Sequence, residues 1–310
     1  MLFLAAFALA AAPPPIINGE TTEEYPEVVA LYMTDSSGRQ GAICTGSLIS
    51  PTWVLTASHC VSDTRSFQID QIYVMFVNTT NEADSGNTKL AEAWYANPNY
   101  DDSTGLNDIA LIEMRGAQDG PFMPLTNVTI RQKDVGTDFR IVGFGATSDN
   151  DTSTNSKKRV VEVPLVDFDS TLMHTEDDVD DQNACHGDSG GPVMRLYEDG
   201  TYAVAGIVDF GGASCMRGGA YSARVDNYMD FIDDYVDDYT VWEEASEEEP
   251  VDTGNPDDTG GGDSEDSGEF VGTDPSPEPA GLCGTEAPAS VLAAGLALVL
   301  AGRRRRQARP

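Results

Sequence analysis

The sequence predicts an all-β fold of the barrel or sandwich kind, and three observations carry the prediction. Short apolar runs rich in Val, Ile, Phe and Tyr recur from Ile16 to about Val225. Clusters of Gly, Asn, Asp and Ser separate them, which is where a strand-rich chain places its turns. Helical periodicity is confined to one segment at the end of this region. Many short strands at such spacing suit architectures in which every strand returns quickly to its neighbour.

Taken in order, examples of the expected strands are residues 27–33, 47–57, 72–77, 108–114, 139–144, 160–166, 193–197 and 202–210. Each combines β-branched or aromatic residues with lengths that cross a sheet once. Residues 225–236 differ. There Val225, Tyr228, Met229, Ile232 and Val236 recur at helical spacing with Asp on the other face, so an amphipathic helix is expected to close the domain.

At 310 residues with 40% hydrophobic content the chain can bury a substantial core. Its 52 acidic residues stand against 18 Lys and Arg, a formal net charge of −34, which excludes nucleic acid as an expected partner and favours solubility. The ends read differently from the middle. Residues 1–12 form an apolar run closing on Ala10-Ala11-Ala12, expected to be a signal peptide, with 13–15 a short pro-segment. Beyond Tyr239 the composition turns to Glu, Asp, Gly, Pro, Ser and Thr, so 240–282 is expected to be a disordered acidic linker. Residues 283–310 hold Cys283-Gly284, an apolar stretch and Arg303 to Arg306, the pattern of a sorting or anchoring tail inserted at least transiently in a membrane.

Three separated segments supply groups for acyl transfer. A serine hydroxyl attacks a carbonyl only with an adjacent base, a group that fixes the base's tautomer, and donors aimed at the developing oxyanion. Gly187-Asp188-Ser189-Gly190-Gly191-Pro192 offers the hydroxyl in a turn whose glycines leave amides free, with Gly187 and Ser189 as oxyanion donors. Thr56-Ala57-Ser58-His59-Cys60 offers an imidazole behind an apolar strand. Asn107-Asp108-Ile109-Ala110-Leu111-Ile112 places one carboxylate at the mouth of another. No metal or cofactor is expected, because the acidic pairs Asp177-Asp178 and Asp180-Asp181 lack the glycine turn and closing Glu of a calcium loop.

Together these segments resemble the trypsin/chymotrypsin family of serine peptidases. The likeness extends from Ile16-Ile17-Asn18-Gly19 through Cys44-Thr45-Gly46 and Gly143-Phe144-Gly145 to Gly206-Ile207-Val208-Asp209-Phe210-Gly211, covering residues 16–239. The resemblance implies two six-stranded antiparallel β-barrels with a C-terminal helix, and a cleft between them where peptide or protein substrates are hydrolysed. It implies His59, Asp108 and Ser189 as the catalytic residues, and bridges Cys44–Cys60 and Cys185–Cys215. A new amino terminus at Ile16 would pair with Asp188. Asn183, Gly211 and Gly219 would form the specificity pocket, where the neutral Asn183 disfavours selection of Arg or Lys. Residues 166–183 are short for the family, which implies a trimmed cleft wall.

The chain also departs from the family pattern elsewhere. No Arg or Lys precedes Ile16, so a trypsin-like activator is not expected to cut there. Asp209 stands where the family has a serine, which would set two carboxylates side by side and give activity an unusual pH dependence. The tail resembles surface-sorting segments of certain Gram-negative bacteria, implying an exported or cell-surface protein. A catalytically silent binding module on the same barrels is the alternative, and the intact His59, Asp108 and Ser189 weigh against it.

Overall fold

The computed structural model describes residues 19–38, 41–62, 68–147, 157–179, 182–211, 214–215 and 217–244. Two compact units divide the chain, Met1–Glu248 and Glu249–Pro310, and every described residue belongs to the first. The expected signal peptide, pro-segment, Ile16 and tail, and most of the expected linker, lie outside the described residues.

Six strands build the first barrel: β1 (Val28–Thr34), β2 (Gly41–Ser50), β3 (Trp53–Thr56), β4 (Gln71–Met75), β5 (Thr88–Ala96) and β6 (Ala110–Met114). They close in the order β1-β2-β3-β6-β5-β4, every pairing antiparallel. Six more build the second: β7 (Asp138–Gly143), β8 (Arg159–Phe168), β9 (Leu172–Thr175), β10 (Pro192–Leu196), β11 (Tyr202–Gly211) and β12 (Ala220–Arg224). Their antiparallel pairings also form a ring, β7-β8-β9-β12-β11-β10. The two rings therefore share one strand order. Closure leaves neither barrel with an open edge that could recruit another chain.

Each barrel is filled by the inward residues of its strands, and one apolar core joins the two. Leu31, Leu48, Leu55, Ile72 and Leu111 pack the first barrel, and their cluster continues through Phe144, Met194 and Val204 into the second. Phe139, Ile141, Val163, Leu165 and Val193 fill the rest of the second. Alternation on β8 is legible residue by residue, since Val161, Val163 and Leu165 are buried while Val160, Glu162 and Pro164 are not.

Several boundaries differ from expectation for identifiable reasons. Residues 47–57 do not run as one strand, because Pro51 and Thr52 turn the chain and Ser50 pairs with Trp53 across a hairpin. The closing helix is shorter than 225–236: a 3-10 turn, Val225–Asn227, precedes an α-helix of only Met229–Asp233. Tyr228 between them takes non-helical angles, and the crowded Asp226, Asp230, Asp233 and Asp234 repel along so short a helix. The apolar face is still used, with Tyr228, Ile232 and Val236 buried. Folded structure also continues past the expected linker start at 240. Val241–Trp242 pairs in parallel with Leu125–Thr126, and Trp242 stacks on Tyr197 with ring centroids 3.3 Å apart.

Candidate active site

His59 sits in a four-residue helix, Ser58–Val61, that begins where β3 ends. Its position is set from both sides. The Ser58 hydroxyl donates to the carbonyl of Ile109 (2.7 Å) and accepts from the amide of Asn97 (3.1 Å), tying the helix to the chain on either side of the β5–β6 turn. Behind it, Cys60 is bridged to Cys44 on β2, the pairing that the resemblance implied.

Asp108 precedes β6 and is completely buried. Asn107 before it adopts φ +58, a left-handed turn conformation that Asn tolerates better than most residues. Both Asp108 oxygens are committed to His59. Oδ1 accepts from the His59 amide at 2.7 Å, and Oδ2 lies 2.5 Å from ring Nδ1. Burial pushes this carboxyl up, but the hydrogen bonds from His59 and Asp209 outweigh it and hold the group below the ordinary carboxylate value. An ionised Asp108 on Nδ1 fixes the proton there and leaves Nε2 as the basic nitrogen.

Ser189 lies in the loop between β9 and β10, held by a dense set of main-chain bonds. Asp188 N donates to Cys185 O (2.9 Å), Gly191 N to Asp188 O (2.8 Å) and Gly190 N to Val208 O (2.7 Å). Among the described residues no such bond engages the amides of Gly187 and Ser189. The loop is stitched to the first barrel by Thr45 on β2. Its amide donates to Ser189 O (2.8 Å), and its hydroxyl donates to Gly187 O (2.8 Å) and accepts from Phe144 N (3.1 Å). Gly190 permits the approach: at φ +80, a Cβ there would lie 2.1 Å from the Thr56 hydroxyl oxygen. The Cys60 sulphur lies 3.6 Å from His59 Nε2 and 3.6 Å from Ser189 O, so one atom touches both segments.

Asp188 is fully buried under this loop. Gly145 N donates to one oxygen (2.7 Å) and Cys185 N to the other (2.9 Å), while Gly143 and Gly145 leave no room for a Cβ beside the carboxylate. Burial raises its pKa to about 6 despite those amides and the charge of Arg159.

A cavity of about 460 Å³ opens beside Ser189. Ala184, Val208, Phe210, Gly211 and Ala220 line it, together with the Cys185–Cys215 bridge, the second pairing implied by the resemblance. Asn183 is buried and hydrogen-bonded to the main chain of Asp177 (3.3 and 3.5 Å), not among the lining residues. Gly219 packs behind the wall, where a Cβ would lie 2.2 Å from Thr175 O.

Asp209 reaches the histidine as well, its Oδ1 3.9 Å from His59 Nδ1. Register slips between Val208 and Phe210 on β11, so Asp209 is the extra residue of a β-bulge. Bulges re-aim a side chain out of strict alternation, and here the result is a second carboxyl at the site. Thr45, Ser58 and the bulge were not expected from sequence; only the Ser-His pair in Ala57-Ser58-His59 hinted at one of them.

The geometry has counterparts among known proteins. The family model described as Trypsin matches residues 16–232. The chain belongs to the trypsin family. It is a serine-type endopeptidase, a hydrolase with peptide or protein substrates. This trypsin-family peptidase is 28% identical to chymotrypsin-like elastase family member 3B of Homo sapiens, with 76% of this chain and 96% of that protein covered. It is 31% identical to CLIP domain-containing serine protease HP8 of Bombyx mori, over 70% of this chain and 68% of that protein. A solved structure of HL collagenase shares the fold, with a TM-score of 0.58, 24% identity, and 71% and 97% of the two chains covered.

Proposed function

We propose that the peptidase works through an acyl-enzyme, with Ser189 as nucleophile, His59 as general base and Asp108 as the carboxylate that orients it. The observation that carries this is the wholly buried Asp108, which engages the ring and the amide of one histidine at once. Ser189 Oγ attacks the substrate carbonyl while His59 Nε2 takes the hydroxyl proton. The amides of Gly187 and Ser189 receive the negative oxygen, and His59 returns the proton to the leaving amine as the C–N bond breaks. Water then repeats the sequence on the ester and releases the acid.

Substrate preference follows from the cavity. Its lining mixes the apolar Ala184, Val208, Phe210 and Ala220 with the polar His186, Asp209 and Ser214, and the neutral Asn183 stands where a fixed anion would select Arg or Lys, which favours a neutral side chain on the carbonyl side of the cut. Asn183 contributes through the wall it braces, and Gly211 and Gly219 keep that wall thin. An amino terminus released at Ile16 pairs with Asp188 and compensates its buried charge. Two disulfides fit an oxidising compartment, so the enzyme acts after export, with residues 1–12 as signal and 283–310 as a surface-sorting tail.

Reaction with a fluorophosphonate probe tests the assignment. The protein with Ile16 freed is expected to be labelled and Ser189→Ala to stay unlabelled. An unlabelled parent would refute the proposal and favour a silent binding module.

A further inference from the structure

Two carboxyl groups face one imidazole nitrogen. Asp108 Oδ2 lies 2.5 Å and Asp209 Oδ1 3.9 Å from His59 Nδ1, and an oxygen of each aspartate lies within 4.8 Å of the other's. Two carboxyl groups so placed are stable together when one of them keeps its proton. Two ionised carboxylates this close, away from bulk water, would repel by roughly a thousandfold in the ionisation constant of the second.

The surroundings decide which one keeps the proton. Asp108 accepts two N–H bonds from His59, and each favours its ionised form. Asp209 Oδ2 is buried and meets no hydrogen-bond partner among the described residues. The groups that face Asp209 from the neighbouring elements are His59, Asp108, Tyr100 and Tyr228, and both phenols are held neutral by burial and by these carboxyls. We infer that Asp209 acts as a neutral carboxylic acid that donates its proton to Asp108, and so serves as a positioning residue for His59.

This role presupposes the peptidase reading of His59 and Asp108 above. Burial, followed by the hydrogen bond to Asp108 and its charge, pushes the Asp209 pKa up to about 10, so the donor persists across neutral pH. The bulge on β11 is the device that delivers it. A neutral donor of this kind keeps Asp108 ionised as pH falls, and it differs from a hydroxyl in one respect. It can be lost to alkali.

The test is kcat and KM against pH for the protein with Ile16 freed, parent and variants, on one peptide substrate. Asp209→Ala is expected to lower kcat about tenfold or more with KM little changed, because the donor is gone. Asp209→Asn and Asp209→Ser, which restore a neutral donor, are expected to recover most of that loss. Their acid limb, which reports His59, is expected to coincide with the parent's, while an alkaline decline of the parent near pH 10 is expected to be absent from both. An acid limb shifted downward by about one pH unit or more in Asp209→Asn would overturn the inference, because it would mean that a negative charge had been removed. So would alkaline limbs that superimpose. Asp209→Ser keeps the comparison available should the larger amide disturb folding. A parent that hydrolyses nothing and takes no fluorophosphonate would instead sink the peptidase mechanism itself.

Discussion

Asp108 accepts from both the ring and the main chain of His59, so its replacement is more than the loss of a charge. In Asp108→Asn the amide must turn either an N–H toward Nδ1, reversing the tautomer, or its oxygen there and an N–H toward the His59 amide. The first leaves Nε2 protonated and unable to act as a base, and the second sets two donors face to face. The expected outcome is a fall in kcat of about a thousandfold or more, with substrate affinity nearly kept, measured by steady-state kinetics beside a thermal melt. The sequence marked this aspartate through its setting: a lone carboxylate opening the apolar run Ile109 to Ile112 has to be either a turn former or a buried partner. Asp209 was legible only as a departure from a family pattern. Its contact with His59 depends on a bulge, and a one-residue slip in register leaves no signature in composition.

At the scale of elements, the serine loop owes its shape to Thr45 as much as to its own glycines. Thr45→Val keeps the shape of the side chain but strands Gly187 O and Phe144 N inside the protein. It is expected to cost about 1–3 kcal/mol in urea denaturation and to reduce kcat more than it raises KM. Gly190→Ala should be harsher, since its Cβ would collide with Thr56 and Thr45 at an unfavourable φ; the expected result is little soluble, folded protein, read by circular dichroism. Strands outside the runs named from the sequence share a cause. Thr88–Ala96 mixes Lys89 and Glu92 with alanines, Leu172–Thr175 is four residues long, and Ala220–Arg224 is built on small side chains. None shows the alternation of aromatic or β-branched residues that betrays a strand, because tertiary pairing rather than local preference holds them. The helix was overdrawn for the opposite reason, its periodicity being real while its acidic spacing could not sustain the turns.

For the whole molecule, Asp188 couples the site to pH. Its folded pKa of about 6 lies above the ordinary 3.8, so its contribution to stability is fully present below that ordinary value and is lost as pH rises through about 6. With Ile16 still inside the chain, acidification from about pH 7.5 to about pH 5 is expected to add about 1 kcal/mol to the unfolding free energy through this group, a gain absent from Asp188→Asn. In the form cut before Ile16, the proposed ion pair keeps Asp188 ionised and the gain should vanish. Equal pH responses in both forms, followed by urea midpoints, would count against the pairing. The number of barrels and the placing of both bridges became legible through resemblance and not through strand counting, whereas the acidity of the chain could be read from its composition.

His59 and Asp108, the proposed base and orienting carboxylate, come from one ring of strands, and Ser189, the proposed nucleophile, from the other. A chain divided between residues 123 and 136 would leave His59 and Asp108 on one fragment and Ser189 on the other, each with a complete set of strands for its own ring. Neither piece alone could turn over substrate. Mixed together, they should regain turnover at an initial rate proportional to the product of their concentrations, which makes the joint between the halves open to titration.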